Sequence, residues 1–103
     1  MKAVFDRDEL IGGISIVQKA VSSTTTLPIL EGMMIDTGKS SVKLTGSDLE
    51  IGIEYELSAD VVEQGKAVVN SKMFGEIVRR MPDTNVFIYN DKDTNVFVIE
   101  GGS

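Results

Sequence analysis

Basic side chains between residues 71 and 80 are the part of this sequence best suited to binding a charged ligand. Lys72, Glu76 and Arg79 recur at intervals of four and three residues, which places them on one face of a helix, and Arg80 lies beside them. Such a face can contact the phosphate backbone of a nucleic acid. The alternative is a solvated surface, on which Glu76 pairs with Lys72 and Arg80 while the arginines complement the helix C-terminus.

The composition argues against the commonest kinds of catalysis. The 103 residues contain no histidine and no cysteine. This removes the usual general base, the commonest metal ligand, the thiolate nucleophile and any disulfide. A hydrolase could still use two carboxylates about 5–10 Å apart, but no pair of acids singles itself out for that role. The composition therefore lowers the expectation of enzymatic activity, and no set of residues predicts a metal or a cofactor.

Acidic residues are plentiful, and local structure explains them better than metal binding does. Asp6, Asp8 and Glu9 cluster where a helix begins, and acids there suit the helix dipole. Glu54 and Glu56 belong to the polar side of a strand and are expected to be solvated. The net charge of −6 argues against a surface that is basic throughout. It leaves room for a local basic stripe, because phosphate affinity depends on where the charges lie.

The elements that position these residues can be predicted from periodicity. Residues 1–5 predict a strand, and Asp6, three residues before Glu9, has the spacing of a helix cap. Apolar residues then recur at helical intervals and predict a buried stripe: Leu10, Ile14, Val17 and Val21. Gly12 and Gly13 lie inside this helix. They indicate either close packing of the helix backbone against a neighbour or a hinge.

Residues 29–57 predict three strands. The first covers residues 29–36, and the second carries Val42 and Leu44 toward the core. The third alternates strictly between an apolar and a polar side, which is typical of a strand with one face buried. Its apolar residues are Leu49, Ile51, Ile53, Tyr55 and Leu57. A short strand at residues 66–69 follows.

The second helix and a hairpin complete the predicted order. Asn70 or Ser71 caps the helix, whose apolar residues are Phe74, Ile77, Val78 and Met81, and Pro82 ends it. Two β-rich runs, 83–89 and 93–99, predict an antiparallel hairpin with apolar residues on both faces. Helices that interrupt antiparallel strands indicate an α+β domain with both helices on one side.

Four segments in this order resemble the first domain of the bacterial β sliding clamp family, the beta subunit of DNA polymerase III. They are the opening strand with Glu9-Leu10, the run Thr26-Leu27-Pro28-Ile29-Leu30, the run from Leu44 to Ile51, and Ile77-Val78-Arg79-Arg80-Met81-Pro82. The resemblance covers essentially the whole chain. It implies the DNA-clamp fold, with antiparallel sheets on the outer side and the two helices on one inner side.

The resemblance also implies a function and partners. Clamp subunits close head to tail into a homodimeric ring that encircles double-stranded DNA, slides without sequence preference and tethers the replicative polymerase, while a clamp loader docks on the ring. Lys72 and Arg79 match basic positions on the inner helix, and Arg80 is their neighbour. Thr24 lies where many relatives carry an arginine or lysine, so it could only hydrogen-bond a phosphate. A bacterial, cytoplasmic and non-catalytic replication protein is expected.

Besides Thr24, the length of the chain departs from that family. The family pattern continues through one more edge strand and two further domains, so residues 1–103 are expected to be an N-terminal domain that stops before its final edge strand. A free sheet edge would then invite pairing with another chain.

The other class of function to weigh is a protein-interaction module whose hairpin docks through Phe87, Tyr89, Phe97 and Ile99.

Overall fold

A computed structural model describes residues 1–19, 32–47, 52–91 and 96–102 of the chain. Within these ranges the chain forms two helices and eight strands. In chain order they are β1 (Lys2–Asp6), α1 (Arg7–Val17), β2 (Gly32–Thr37), β3 (Ser41–Ser47), β4 (Gly52–Ser58), β5 (Asp60–Glu63), β6 (Gly65–Asn70), α2 (Ser71–Arg80), β7 (Asn85–Asp91) and β8 (Val96–Gly102). This confirms the predicted order and adds β5, whose four residues are too few to show a period.

Asp6 caps α1, as the sequence predicts. The Asp6 Oδ1 atom accepts a hydrogen bond from the Glu9 backbone N–H at 3.0 Å, which satisfies one of the donors left free at a helix N-terminus. Three residues of the predicted apolar stripe are completely buried: Leu10, Ile14 and Val17. The helix ends at Val17, and its predicted continuation to Val21 lies outside the described residues.

The two glycines of α1 differ in their surroundings. Gly13 is buried, and a Cβ at this position would meet side chains of β3 and β4. Gly12 is exposed, and a Cβ there would meet nothing within 4 Å. The prediction of close backbone packing is therefore confirmed at Gly13 and wrong at Gly12, because only Gly13 faces the strands beneath the helix.

Asn70 is the residue that caps α2. Its Oδ1 atom accepts a hydrogen bond from the Met73 backbone N–H at 2.9 Å. Phe74 and Val78 are buried, whereas Ile77 is 39% exposed. The helix ends at Arg80, two residues before Pro82. The predicted helix is confirmed, but its apolar stripe is only partly covered by the described residues.

The strands form two four-stranded sheets in which neighbours run antiparallel. We call the sheet with the order β5-β1-β7-β8 the first sheet and the sheet with the order β4-β3-β2-β6 the second sheet. The two sheets and both helices enclose one core, to which Phe5, Leu44 and Leu10 contribute completely or almost completely buried side chains. These are the layers of an α+β domain.

The two halves of the chain repeat one arrangement. Both follow the order strand, helix, strand, strand: β1-α1-β2-β3 and β6-α2-β7-β8. The first strand of each half pairs with the second strand of the other half, since β1 pairs with β7 and β6 pairs with β2. Each sheet therefore takes strands from both halves, and this exchange brings α1 and α2 together.

Strand β4 has the predicted alternation. Tyr55 is partly buried and Leu57 is buried, whereas Glu54 and Glu56 are exposed. Leu49 and Ile51, the first apolar residues of the predicted pattern, lie outside the described residues. The acids of this strand form part of the solvated outer surface of the second sheet.

The four residues of the hypothetical docking face lie on two faces of the hairpin. In the β7–β8 register Ile88 pairs with Ile99 and Asn90 pairs with Phe97. Ile88 is completely buried, so Phe97 and Ile99 lie on the core side. There the rings of Phe97 and Phe74 pack edge to face, with their centroids 6.1 Å apart. Phe87 and Tyr89 lie on the opposite face because side chains alternate along a strand. The prediction that these four residues form one docking surface is therefore wrong.

Candidate nucleic-acid interface

Helices α1 and α2 lie side by side and run antiparallel. At one end the Gln18 Nε2 atom, just after α1, donates a hydrogen bond of 2.7 Å to the Ser71 carbonyl in the first turn of α2. At the other end the Arg7 Nη2 atom, at the start of α1, donates a hydrogen bond of 2.7 Å to the Arg79 carbonyl near the end of α2. The two contacts fix the relative position of the helices at both ends.

The cations predicted on α2 are all exposed. Lys72, Arg79 and Arg80 have at least a third of their surface open to solvent. Among the described residues the structure has three ion pairs, and none includes a residue of α2. The alternative in which Glu76 pairs with Lys72 and Arg80 is therefore not found. Thr24, the fourth predicted site residue, lies outside the described residues.

Arg79 is held by uncharged partners on the neighbouring helix. Its Nη2 atom donates to the Ser15 hydroxyl oxygen at 3.0 Å and to the Gln18 Oε1 atom at 2.9 Å. We call Ser15, Gln18, Gly75 and Arg79 the interhelical cluster. Because its acceptors carry no formal charge, the positive charge of the guanidinium is not neutralised by them.

Gly75 provides the space in which this cluster lies. A Cβ at position 75 would stand 2.7 Å from both Arg79 Nη1 and Gln18 Nε2, which is shorter than van der Waals contact allows. The guanidinium and the amide therefore cross α2 directly above the glycine backbone. Any larger residue at this position would displace one or both of them.

Arg7 is a further cation of the helix pair that the sequence did not single out. Its contact with the Arg79 carbonyl compensates a C-terminal acceptor of α2 that has no partner within its own helix. Its Nη1 atom also donates to Asp8 Oδ1 at 3.0 Å. Because these contacts use its guanidinium, Arg7 is a structural clamp between the helices rather than an open phosphate ligand.

Ser15, Gln18 and Gly75 were also missed by the sequence prediction. A signal was present, because residues three apart lie on one helical face and Ser15 and Gln18 are polar within an apolar stretch. The sequence alone could not name their partner, since Arg79 lies 61 residues beyond Gln18 and meets it only after the two halves of the chain dock.

The acidic clusters have structural uses in the regions that the structure describes. Asp6 caps α1, and Asp8 pairs with Arg7. No group of three potential ligands that could hold a metal ion occurs among the described residues. Neither described helix is long and apolar enough to cross a membrane.

An apolar groove lies between α2 and the free edges of both sheets. It has a volume of about 270 Å³ and is lined by Val68, Val69, Asn70, Met73, Phe74, Ile77, Phe97 and Ile99. Strands β6 and β8 are the terminal strands of their sheets in the described chain. Val68 and Met73 are 68% and 62% exposed. The groove is therefore an uncovered apolar surface beside α2.

Comparison with known proteins connects this fold with one family. The profile of the family described as "DNA polymerase III beta subunit, N-terminal domain" matches residues 1–103. A protein named beta sliding clamp from Halalkalibacterium halodurans is 38% identical over 100% of this chain. One of the same name from Synechocystis sp. is 35% identical over 90% of it. The chain spans 29% and 24% of the lengths of these two relatives.

Solved structures give the same result. The DNA polymerase sliding clamp of Bacillus subtilis superposes with a TM-score of 0.93 at 32% identity, covering 100% of this chain and 29% of that one. The pol III beta protein of Caulobacter crescentus also gives a TM-score of 0.93, at 27% identity, covering 99% of this chain and 28% of that one. The predicted clamp fold is confirmed, and the chain belongs to the family of the DNA polymerase III beta subunit, whose N-terminal domain it matches from residue 1 to residue 103.

Proposed function

We propose that this chain acts as the N-terminal domain of a ring-shaped sliding clamp in bacterial DNA replication. In this role α1 and α2 face double-stranded DNA and the two sheets form the outside. The domain catalyses nothing and takes part in tethering a replicative polymerase. The observation that carries the proposal is the exposure of Lys72, Arg79 and Arg80 on a helix pair, outside any ion pair of the described residues.

The charge distribution supports sliding rather than tight binding. An enclosing ring holds DNA by topology, so it needs few phosphate contacts, and many strong contacts would impede movement. The chain has 16 acidic and 10 basic residues, and exposed acids such as Glu54 and Glu56 lie on the second sheet. Acids outside and a few cations on the helices repel DNA from the outer surface and tolerate it inside.

The proposed roles of the site residues follow from their chemistry. Lys72, Arg79 and Arg80 contact phosphate oxygens as cations, without reading base sequence. Thr24 contributes at most a neutral hydrogen bond. We further propose a homodimeric ring in the full-length protein, with the replicative polymerase and a clamp loader as partners and the cytoplasm as location. Within the described parts of the chain, β6 and β8 are terminal strands of their sheets with an apolar groove beside them, which supports further structure that covers these edges in the full-length protein.

The proposal is tested by titrating the chain with duplex oligonucleotides of two unrelated sequences at several salt concentrations. A contact with two or three phosphates predicts a slope of log K against log salt between about −2 and −3, and a dissociation constant of about 10⁻⁴ M or weaker. Both sequences should bind equally. Submicromolar, salt-resistant or sequence-dependent binding would contradict the proposal, and so would the absence of any salt-dependent interaction.

A further inference from the structure

Arg79 differs from the other two exposed cations of α2 in how it is held. For Lys72 and Arg80 the structure gives no hydrogen bond or ion pair within the described residues. Arg79 donates to two acceptors on the neighbouring helix, the Ser15 hydroxyl and the Gln18 amide oxygen. A long side chain loses rotamer freedom when it binds a ligand, and one that is already fixed loses less.

The orientation of the Gln18 amide is determined by its two partners. Its nitrogen must face the Ser71 carbonyl, which can only accept, and its oxygen must face the Arg79 guanidinium, which can only donate. A flipped amide would lose both hydrogen bonds. Gln18 therefore presents an acceptor to Arg79 in one fixed direction, and it is itself anchored to the first turn of α2.

The acceptors leave part of the guanidinium available. Both contacts use Nη2, and among the described residues Nη1 and Nε have no hydrogen-bond partner. The side chain remains exposed. A guanidinium presents several donors in one plane, a geometry that suits two oxygens of a phosphate. The cluster thus fixes the direction of Arg79 without neutralising its charge.

We propose that Gln18 is a positioning residue for Arg79, and that the interhelical cluster aims the guanidinium at a phosphate of the nucleic-acid backbone. Because Gly75 has no side chain, it leaves room for the Arg79 guanidinium and the Gln18 amide in this arrangement. The inference rests on the proposed function, because it needs a phosphate ligand at this helix face. It distinguishes Arg79, whose guanidinium is preoriented by two hydrogen bonds, from Lys72 and Arg80, for which the described residues provide no such partner.

The test uses the chain with Gln18→Ala, Gly75→Ala, Arg79→Gln and the double variant Gln18→Ala/Arg79→Gln. Affinity for a duplex oligonucleotide and its salt slope are measured for each. Gln18→Ala should weaken binding by about two- to tenfold through lost preorganisation with an unchanged slope, since the charge remains. Arg79→Gln should make the slope shallower by about 0.9, the value for one phosphate. In the Arg79→Gln background Gln18→Ala should have no further effect.

Gly75→Ala and one further variant, Gln18→Glu, separate positioning from a general structural role. A Cβ in Gly75→Ala displaces the ends of the Arg79 and Gln18 side chains and lies 3.3 Å from Cγ2 of the buried Ile14. The variant should weaken DNA binding as Gln18→Ala does, and its urea denaturation midpoint checks that the fold is retained. Gln18→Glu places a carboxylate beside Arg79. This variant should make the slope shallower by about 0.9, because the charge of Arg79 is then neutralised.

Nuclear magnetic resonance of the Arg79 Nε–Hε group provides an independent readout. The signal should be that of an ordered side chain in the wild type and of a mobile one in Gln18→Ala and Gly75→Ala. Equal affinity of wild type and Gln18→Ala, or an effect of Gln18→Ala that persists without Arg79, would overturn the inference alone. A wild-type chain that shows no salt-dependent interaction with DNA would instead overturn the proposed function.

Discussion

Gly13 of α1 packs against the ring of Tyr55 in β4, and a Cβ on the glycine would stand 3.0 Å from Tyr55 Cδ1. The helix therefore lies so close to the second sheet that a Cβ at position 13 would crowd the Tyr55 ring. Ser15 lies in the same helix and Gln18 directly follows it, so this contact also helps to position the interhelical cluster relative to α2.

The two glycines of α1 should respond in opposite ways to substitution by alanine. Gly12→Ala should stabilise the chain by about 0.5–1 kcal/mol, because its surroundings are open and alanine favours the helix. Gly13→Ala gains the same propensity but crowds Tyr55 and the completely buried Leu44. Overpacking of this kind costs about 1–3 kcal/mol, so we expect net destabilisation.

Urea denaturation of the wild type, Gly12→Ala and Gly13→Ala measures the difference in the free energy of unfolding directly. Each glycine variant is the control for the other, since the chemical change and the helix are the same. Equal midpoints for the two variants would contradict the close packing of α1 on β4.

Removal of the Asn70 cap should destabilise α2. Asn70→Ala deletes the acceptor of the Met73 N–H and should lower the free energy of unfolding by about 1 kcal/mol, whereas Asn70→Asp keeps the acceptor and should cost little. Thermal denaturation followed by circular dichroism provides the measurement. The cap hypothesis fails if aspartate is as harmful as alanine.

The contribution of Lys72 to DNA binding should appear in the salt dependence. Lys72→Gln should make the slope of log K against log salt shallower by about 0.9, as expected for one lost phosphate contact. Lys43→Gln is the matched control, because Lys43 is an exposed lysine on β3 of the second sheet, away from the helix pair. Its slope should equal that of the wild type. An equal change in both variants would mean that net charge alone governs the interaction.

Tyr89 should make stability fall at alkaline pH. Partial burial of the phenol, and then the negative charge of Glu100 at hydrogen-bond distance, raise the pKa of Tyr89 above its usual value of about 10. A raised pKa in the folded state means that the contribution is complete below the unfolded pKa and is lost as pH rises through the folded pKa. Below pH 10 no such dependence on this group is expected.

Denaturation of wild type and Tyr89→Phe at pH 9 and pH 11 checks this expectation. The wild type should lose more stability than the variant between the two values, because phenylalanine cannot ionise. Absorbance titration of the two proteins near 295 nm should give a difference curve with a midpoint above pH 10. A midpoint below 10 would contradict the structure around Tyr89.

The structure also changes which hairpin residue is suitable for testing a protein-interaction role. From the sequence, Phe97→Asp would distinguish a docking face from a DNA-binding face. Since Phe97 packs against Phe74, Phe97→Asp should instead destabilise the fold by placing a charge against the core. Phe87, on the outer side of the hairpin, is the residue that can test docking without disturbing the core.

The sequence by itself determined the local elements and the exposed cations. The cap of α1, the buried residues of α1 and the alternation of β4 follow from spacing, because caps and periodicity depend on neighbours within a few residues. For α2 the sequence left two candidate caps, Asn70 and Ser71, and the structure identifies Asn70. The charge face of Lys72, Arg79 and Arg80 is equally local. The family resemblance then indicated the overall fold, which pattern alone left at the level of an α+β domain.

Only the tertiary structure decided which side chains meet across the two halves. It showed Gln18 and Ser15 beside Arg79, Gly75 beneath them and Phe97 on the opposite face from Phe87, and it formed β5 by pairing with β1. These contacts join residues far apart in sequence, so no short-range pattern contains them. They exist because antiparallel pairing between the halves brings the two helices together at a fixed register.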